Sequence, residues 1–340
     1  HNTIVTKGSI KLKSYRLMLR LVDKIVTVAN AQKELLVKNE NIPVHLIETI
    51  YNGIDIEEII FIVGYLGDQI RDYVTANYNF PSRYIEQEEL KGQAHAIYLA
   101  REHVSGPVLI IFVDTIFETD LSVLEHEQSD GVLYVKEVED PRRFGVVITE
   151  NGYITKLVEK PATPISNLAV IGLYYIKDSQ LLMECIAELI RKDIKTKGEY
   201  FLADAFQLMI DKGAKFVARA VEVWEDCGKP ETVLHTNRYL LEHGGAQEIE
   251  TENSVLIPPV YIEETAVIKD SIVGPYVSVA GDVIITRSII QDSIINEGAH
   301  IEDANLSQSL IGKDAHVRGS AQRLNVGDSS QVDFVGNEYE

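Results

Sequence analysis

The chain has 340 residues, 45% of them hydrophobic, enough to bury a sizeable core; at roughly 150 residues per domain this predicts two or three domains. Its formal charge of −20 and pI near 4.9 repel polyanions, which excludes nucleic acid and acidic membranes as main partners, because both are held through Lys and Arg. The longest apolar run, Val108 to Val113, is far short of the roughly 20 residues that span a bilayer, and Cys185 and Cys227 stand in no metal-ligand spacing, so a cytoplasmic protein with reduced thiols is expected.

Up to about residue 240, strand-like and helix-like segments alternate. "DKIVTV" (23–28), "EEIIFIVG" (57–64), "PVLIIFVD" (107–114) and "GVLYVKEV" (131–138) are short β-branched runs, and helical spacing marks 93–103 and 178–192. This alternation predicts an α/β domain with a mostly parallel sheet. "FLADAFQLMIDKGA" (201–214) is a further amphipathic helix that ends at Gly213. The polar stretch 240–254, with adjacent glycines at 244 and 245, marks a domain boundary.

Beyond Ser254 an apolar residue returns every six positions: Ile262 and Ile268, then Val273, Val279 and Ile285, then Ile295 and Ile301, then Ile311 and Val317. Units such as "VGPYVS" and "IGKDAH" predict a parallel β-helix, each supplying one short strand with its apolar residue inward. A β-sandwich would alternate with period two and carry turns every 8 to 12 residues.

Several polar residues sit where strands end, the usual ligand side of a parallel sheet. Asp114 ends "VLIIFVD" and Asp226 follows an apolar approach in "VWEDCGKPE"; either one alone also reads as a cap or a turn. Two such carboxylates suit a hard divalent cation that completes its shell with phosphate oxygens and water. In "LVEKPATP" Glu159 and Lys160 are neighbours, so in a regular strand they would face opposite sides. If both serve one ligand, the backbone must turn between them; a solvated charge pair is the plainer reading. Gly145 in "EDPRRFGVV" permits close approach of a ligand, and in "YIEQEELKGQAHAIYLA" the Gln87 amide both donates and accepts, as reading a base edge requires. The helix start after Gly92 offers free N–H groups to a polar ligand.

These fragments, with "KGEYFLADAFQLMIDKGAKF" and the β-helix opening "VLIPPVYIEETAVIKDSIVGPYVS", resemble in order a sugar-1-phosphate nucleotidylyltransferase over about residues 56–337, in particular long-form glucose-1-phosphate thymidylyltransferases. The resemblance implies a Rossmann-like (GT-A-like) domain followed by a left-handed β-helix. It implies the reaction of an NTP, dTTP or UTP, with a sugar 1-phosphate, glucose 1-phosphate in the first place, to give NDP-sugar and pyrophosphate. Carried over by motif, Gln87 and Gly92 read the nucleobase and Asp114 with Asp226 holds Mg²⁺. Gly145, Glu159, Lys160, one or both of Tyr174 and Tyr175, and Trp224 hold the sugar phosphate, with Lys160 on the phosphate. Val113 departs from the family pattern, which has Gly before the metal Asp.

The family also begins with a strand and a glycine-rich loop carrying an Arg, and residues 1–55 contain no such loop. They resemble instead an internal piece of a retaining GT-B glycosyltransferase, with "YNGID" near the join at about Ile56. "DKIVTV" and the predicted helix "NAQKELLVKN" would then take the place of the first β-α unit. Expected domains are 1–55, 56–243 and 254–337, with oligomerisation through the β-helix. Three functions are in play: a nucleotidyltransferase with weak or absent turnover, a non-catalytic sugar-nucleotide-binding or assembly protein, and a β-helix acyltransferase using His300 or His316, which both follow Ala in their six-residue units.

Overall fold

The computed structural model describes residues 56–247, 249–319 and 324–333, together with three strands nearer the start: β1 (Thr3–Lys7), β2 (Ile25–Thr27) and β3 (Ile47–Thr49). The chain divides into two units, the described parts of His1–Arg16 and Tyr51–Trp224 in the first, and those of Leu17–Ile50 and Glu225–Glu340 in the second.

In the first unit, β4 (Glu58–Val63), α1 (Gly67–Asn77), β5 (Ser82–Glu86), α2 (Gln93–Leu99) and β6 (Val108–Phe112) follow one another. Then come β7 (Thr115–Glu118), β8 (Gly131–Glu137), β9 (Gly145–Glu150), β10 (Tyr153–Glu159) and β11 (Leu168–Ile176). Helices α3 (Ser179–Arg191) and α4 (Leu202–Asp211) and strand β12 (Phe216–Ala220) complete it. The apolar runs of β4 and β6 are buried almost throughout, as central strands covered on both faces must be. Helix α3 starts where the Asp178 carboxylate accepts the Leu181 N–H at 3.0 Å, and it buries Leu182, Met183, Cys185, Ile186 and Leu189 on one face.

The sheet runs β10-β9-β11-β6-β1-β4-β5, with β8 paired to β11 and β12 to β8. Six strands, β4, β5, β6, β8, β9 and β12, point one way, whereas β1, β10 and β11 are reversed. Common direction is therefore mostly parallel, although the reversed strands sit between the others and make most ladders antiparallel. The slot between β4 and β6 differs from expectation. It is filled by β1, antiparallel to both, with Thr3 opposite Ile62 and Phe112 and Lys7 opposite Glu58 and Val108. "DKIVTV" does not take that place, because Ile25–Thr27 pairs in parallel with Ile47–Thr49 and clusters with the second unit. The physical reason is that the facing edges of β4 and β6 need only a partner with free backbone groups, and either strand direction satisfies them. The predicted helix "NAQKELLVKN" lies outside the described residues.

The second unit holds α5 (Pro230–Glu242) and a parallel β-helix of three sheets. Ile262, Val279, Ile295 and Ile311 stack on one face and Ile268, Ile285, Ile301 and Val317 on another, all buried, as the six-residue period requires. Helix α5 is tied to this prism. Asn237, fully buried, donates to the Tyr276 carbonyl at 3.2 Å and accepts from the Ser278 hydroxyl at 2.6 Å, while Arg238 forks onto Asp292. Those bonds place the division between units at Trp224 and Glu225, ahead of the polar stretch 240–254.

Candidate functional site

The carboxyl ends of β4, β5 and β6 lie along one edge of the first unit's sheet. Gln87 follows β5, its backbone N–H bonded to the Val63 carbonyl at 2.7 Å, and its side chain is only 5% exposed. The Gln87 Nε2 donates to the Gly92 carbonyl at 3.2 Å and lies 3.1 Å from His95 Nδ1. Burial, with the nearby Lys91 charge, pushes the His95 pKa down from the ordinary histidine value. Gly92 has φ +106°, and an added Cβ would lie 2.6 Å from the Tyr200 carbonyl oxygen. Its requirement is therefore the close contact between the 91–94 and 199–200 backbones, where Ala94 N–H and the Tyr200 carbonyl bond at 2.9 Å.

Ala169, at the start of β11, pairs with Val146, so the β9–β10 ribbon continues past the carboxyl end of β6 and carries Gly145 and Glu159 there. Lys160 adopts φ +43°, a left-handed turn that a Lys takes only under constraint, here a 2.9 Å bond from its N–H to the Phe144 carbonyl. The turn undoes the strand's alternation. Lys160 Nζ lies 3.8 Å from Glu159 Oε1 and 4.8 Å from the Phe201 ring centre. A Cβ on Gly145 would come within 2.9 Å of Glu159 Oε2, so the glycine leaves room for that carboxylate. Burial pushes the Glu159 pKa up to about 7 against the pull of Lys160, with Asp204 adding to the rise. Asp204 is itself raised by burial, and its Oδ2 is buried without a hydrogen-bond partner.

Asp114 lies two residues past the end of β6. Tyr174, buried between Phe112 and Phe206, has its pKa raised by burial and then by the charges of Glu159 and Asp114. Tyr175, next along β11, is on the opposite face and feels Glu127 instead, so the structure does not bring it to this site. Trp224 donates its Nε1–H to Thr115 Oγ1 at 2.6 Å and packs edge-on to Phe144 at 5.1 Å, which commits its polar atom to the scaffold beside Asp114. Asp226 falls in the second unit, where its Oδ1 accepts the Gly228 N–H at 3.0 Å. His300 and His316 are exposed neighbours on one β-helix face, ring centres 4.6 Å apart, consistent with outward, solvated side chains. His95 and Asp204 escaped the sequence reading. The only signal for His95 is its place between two small residues, Ala94 and Ala96, eight positions after Gln87.

A fixed amide, a buried carboxylate with its lysine and a strand-end aspartate make a candidate polar site at the carboxyl ends of the strands of an α/β unit, in a chain that also carries a parallel β-helix. The nucleotidyl transferase profile matches residues 20–243, and the chain belongs to that family. The match begins inside the segment 1–55. The bifunctional protein GlmU of Methanococcus aeolicus is 30% identical over 266 residues, 73% of this chain and 62% of that protein, so the chain spans about six-tenths of that relative. Glucose-1-phosphate thymidylyltransferase of Streptomyces griseus is 28% identical over 341 residues, covering 90% of this chain and 94% of that protein. A solved UDP-glucose pyrophosphorylase complexed with UDP-glucose aligns with TM-score 0.48 at 23% identity, over 55% of this chain and 81% of that one.

Proposed function

We propose that the chain binds a pyrimidine nucleoside triphosphate, dTTP or UTP, and a sugar 1-phosphate, glucose 1-phosphate in the first place, as a sugar-1-phosphate nucleotidyltransferase. The observation that carries the reading is the left-handed turn at Lys160. It sets an ammonium and a carboxylate on the same side, beside a glycine that leaves space for them, as a ligand with a phosphate and hydroxyls demands. In the reaction a sugar-phosphate oxygen attacks the α-phosphorus, a new P–O bond forms, and the bond to the β-phosphate oxygen breaks to release pyrophosphate. Lys160 holds the attacking phosphate, Glu159 accepts sugar hydroxyls, and Gln87 meets the base.

Mg²⁺ fits the donor chemistry. It takes one or two carboxylates and completes its octahedron with phosphate oxygens and water. Among the described residues no group of three or more His, Cys, Asp or Glu could hold a metal unaided. Asp114 would supply a carboxylate. When bound, the ion neutralises phosphate charge. We further propose self-association through the β-helix, supported by the exposed apolar row Val255, Ile272 and Ile289 on one of its sheets; sedimentation as a single monomeric species would refute it.

One observation favours binding without turnover. Because β1 runs opposite to β4 and β6, the chain leaves it at the edge where those strands begin, away from Gln87 and Asp114. A phosphate loop following β1 would start on the wrong side. The test is pyrophosphate release from dTTP or UTP with glucose 1-phosphate and Mg²⁺, beside calorimetric binding of each substrate. Turnover supports the enzyme, binding without turnover supports the second reading, and neither refutes both.

A further inference from the structure

The Gln87 amide has a single admissible orientation. A backbone carbonyl only accepts, so the group 3.2 Å from the Gly92 oxygen must be the NH₂, which fixes the side chain against the flip that usually leaves an amide ambiguous. The same nitrogen lies 3.1 Å from His95 Nδ1, so Nδ1 must be the acceptor and the ring proton resides on Nε2. Both amine hydrogens are thereby committed. The amide oxygen takes no hydrogen bond from the described residues and remains to accept one.

We propose that His95 is a positioning residue that locks the Gln87 amide with its oxygen outward, so that the site selects a pyrimidine whose ring N3 carries hydrogen. The proposal rests on the nucleotide-binding reading and deepens it. Uracil and thymine present N3–H to that oxygen, whereas cytosine presents a lone pair at the same position. Cytosine would need the amide reversed, turning the NH₂ outward and leaving the Gly92 carbonyl facing the amide oxygen, lone pair against lone pair. Sequence pattern alone leaves both orientations open, since glutamine donates and accepts equally. The Gly92 carbonyl makes the choice, and Nδ1 of His95, on the first turn of α2, reinforces it by accepting the second amide hydrogen, a role the ring can fill only while Nδ1 carries no proton. The charged groups that act on this ring are Lys91 and Glu89 of the preceding loop.

The experiment is calorimetric titration of the full chain with UTP and CTP, in the wild type, His95→Ala, His95→Asn and Gln87→Ala. Losing His95 removes one of the two bonds that hold the amide, so His95→Ala should lose about tenfold in UTP affinity and part of its preference for UTP over CTP, the Gly92 carbonyl retaining the rest. Asparagine places an acceptor where Nδ1 was and should restore the preference to within about threefold of wild type, which a purely structural defect would not do. Long-range ¹H–¹⁵N correlation spectra of the free protein should show the His95 proton on Nε2. A His95→Ala variant that discriminates as the wild type does, or a proton on Nδ1, overturns the proposal. If the wild type binds neither nucleotide, the nucleotide reading itself fails and the lock falls with it.

Discussion

Replacing Glu159 by Gln tests the electrostatics of the candidate site directly. Burial raises this carboxyl from its ordinary 4.5 to about 7, and a tenfold change in proton affinity corresponds to ~1.4 kcal/mol, so the folded chain holds the proton about 3 kcal/mol more tightly than the unfolded one. Below pH 4.5 both states carry it. Between 4.5 and 7 only the folded state does, so stability falls as pH rises through that window and is level above it. Glutamine cannot titrate. The difference in unfolding free energy, variant minus wild type, should therefore climb by about 3 kcal/mol from pH 4.5 to 7.5. Urea denaturation across this range, followed by the fluorescence of Trp224, the only tryptophan, reads the first unit alone. Parallel pH curves for the two proteins would show that Glu159 is solvated and that its burial beside Lys160 and Asp204 does not govern its charge.

Gly92→Ala should cost at least 2 kcal/mol, since it strains a positive φ and drives Cβ onto the Tyr200 carbonyl; an unchanged denaturation midpoint would argue against the close 92–200 contact. Ile285→Ala, in a fully buried stack between Ile268 and Ile301, should destabilise the β-helix by 2–5 kcal/mol. The loss should be visible by far-UV circular dichroism while the Trp224 transition stays in place. Asn237→Ala strips the Tyr276 carbonyl and the Ser278 hydroxyl of their partner and should cost about 1–3 kcal/mol, with faster amide exchange along α5; protection equal to wild type would mean that the helix is held by other contacts.

Strands β4, β6 and β8 were legible because each holds an apolar run rich in Val and Ile, a pattern that suits a doubly covered strand. The β-helix was legible from Ile262 to Val317 because a period of six repeats one inward position per strand, and repetition survives without knowledge of neighbours. The site residues could be named from the ends of those strands, but their relations could not. Glu159 and Lys160 share a side only because a tertiary bond to Phe144 holds Lys160 left-handed, and Tyr174 parts from Tyr175 only because the strand's pleat sends one ring between Phe112 and Phe206 and the other to the opposite face. Likewise, Thr3–Lys7 won the central slot over the more apolar "DKIVTV", and α5 sided with the prism through Asn237 and Arg238. Local pattern determined which segments are strands, helices and coils. Strand direction and the partner of α5 were decided by hydrogen bonds between residues far apart in the chain, and the orientation of one amide by a carbonyl and a ring five and eight residues on, where the sequence carries no period to read.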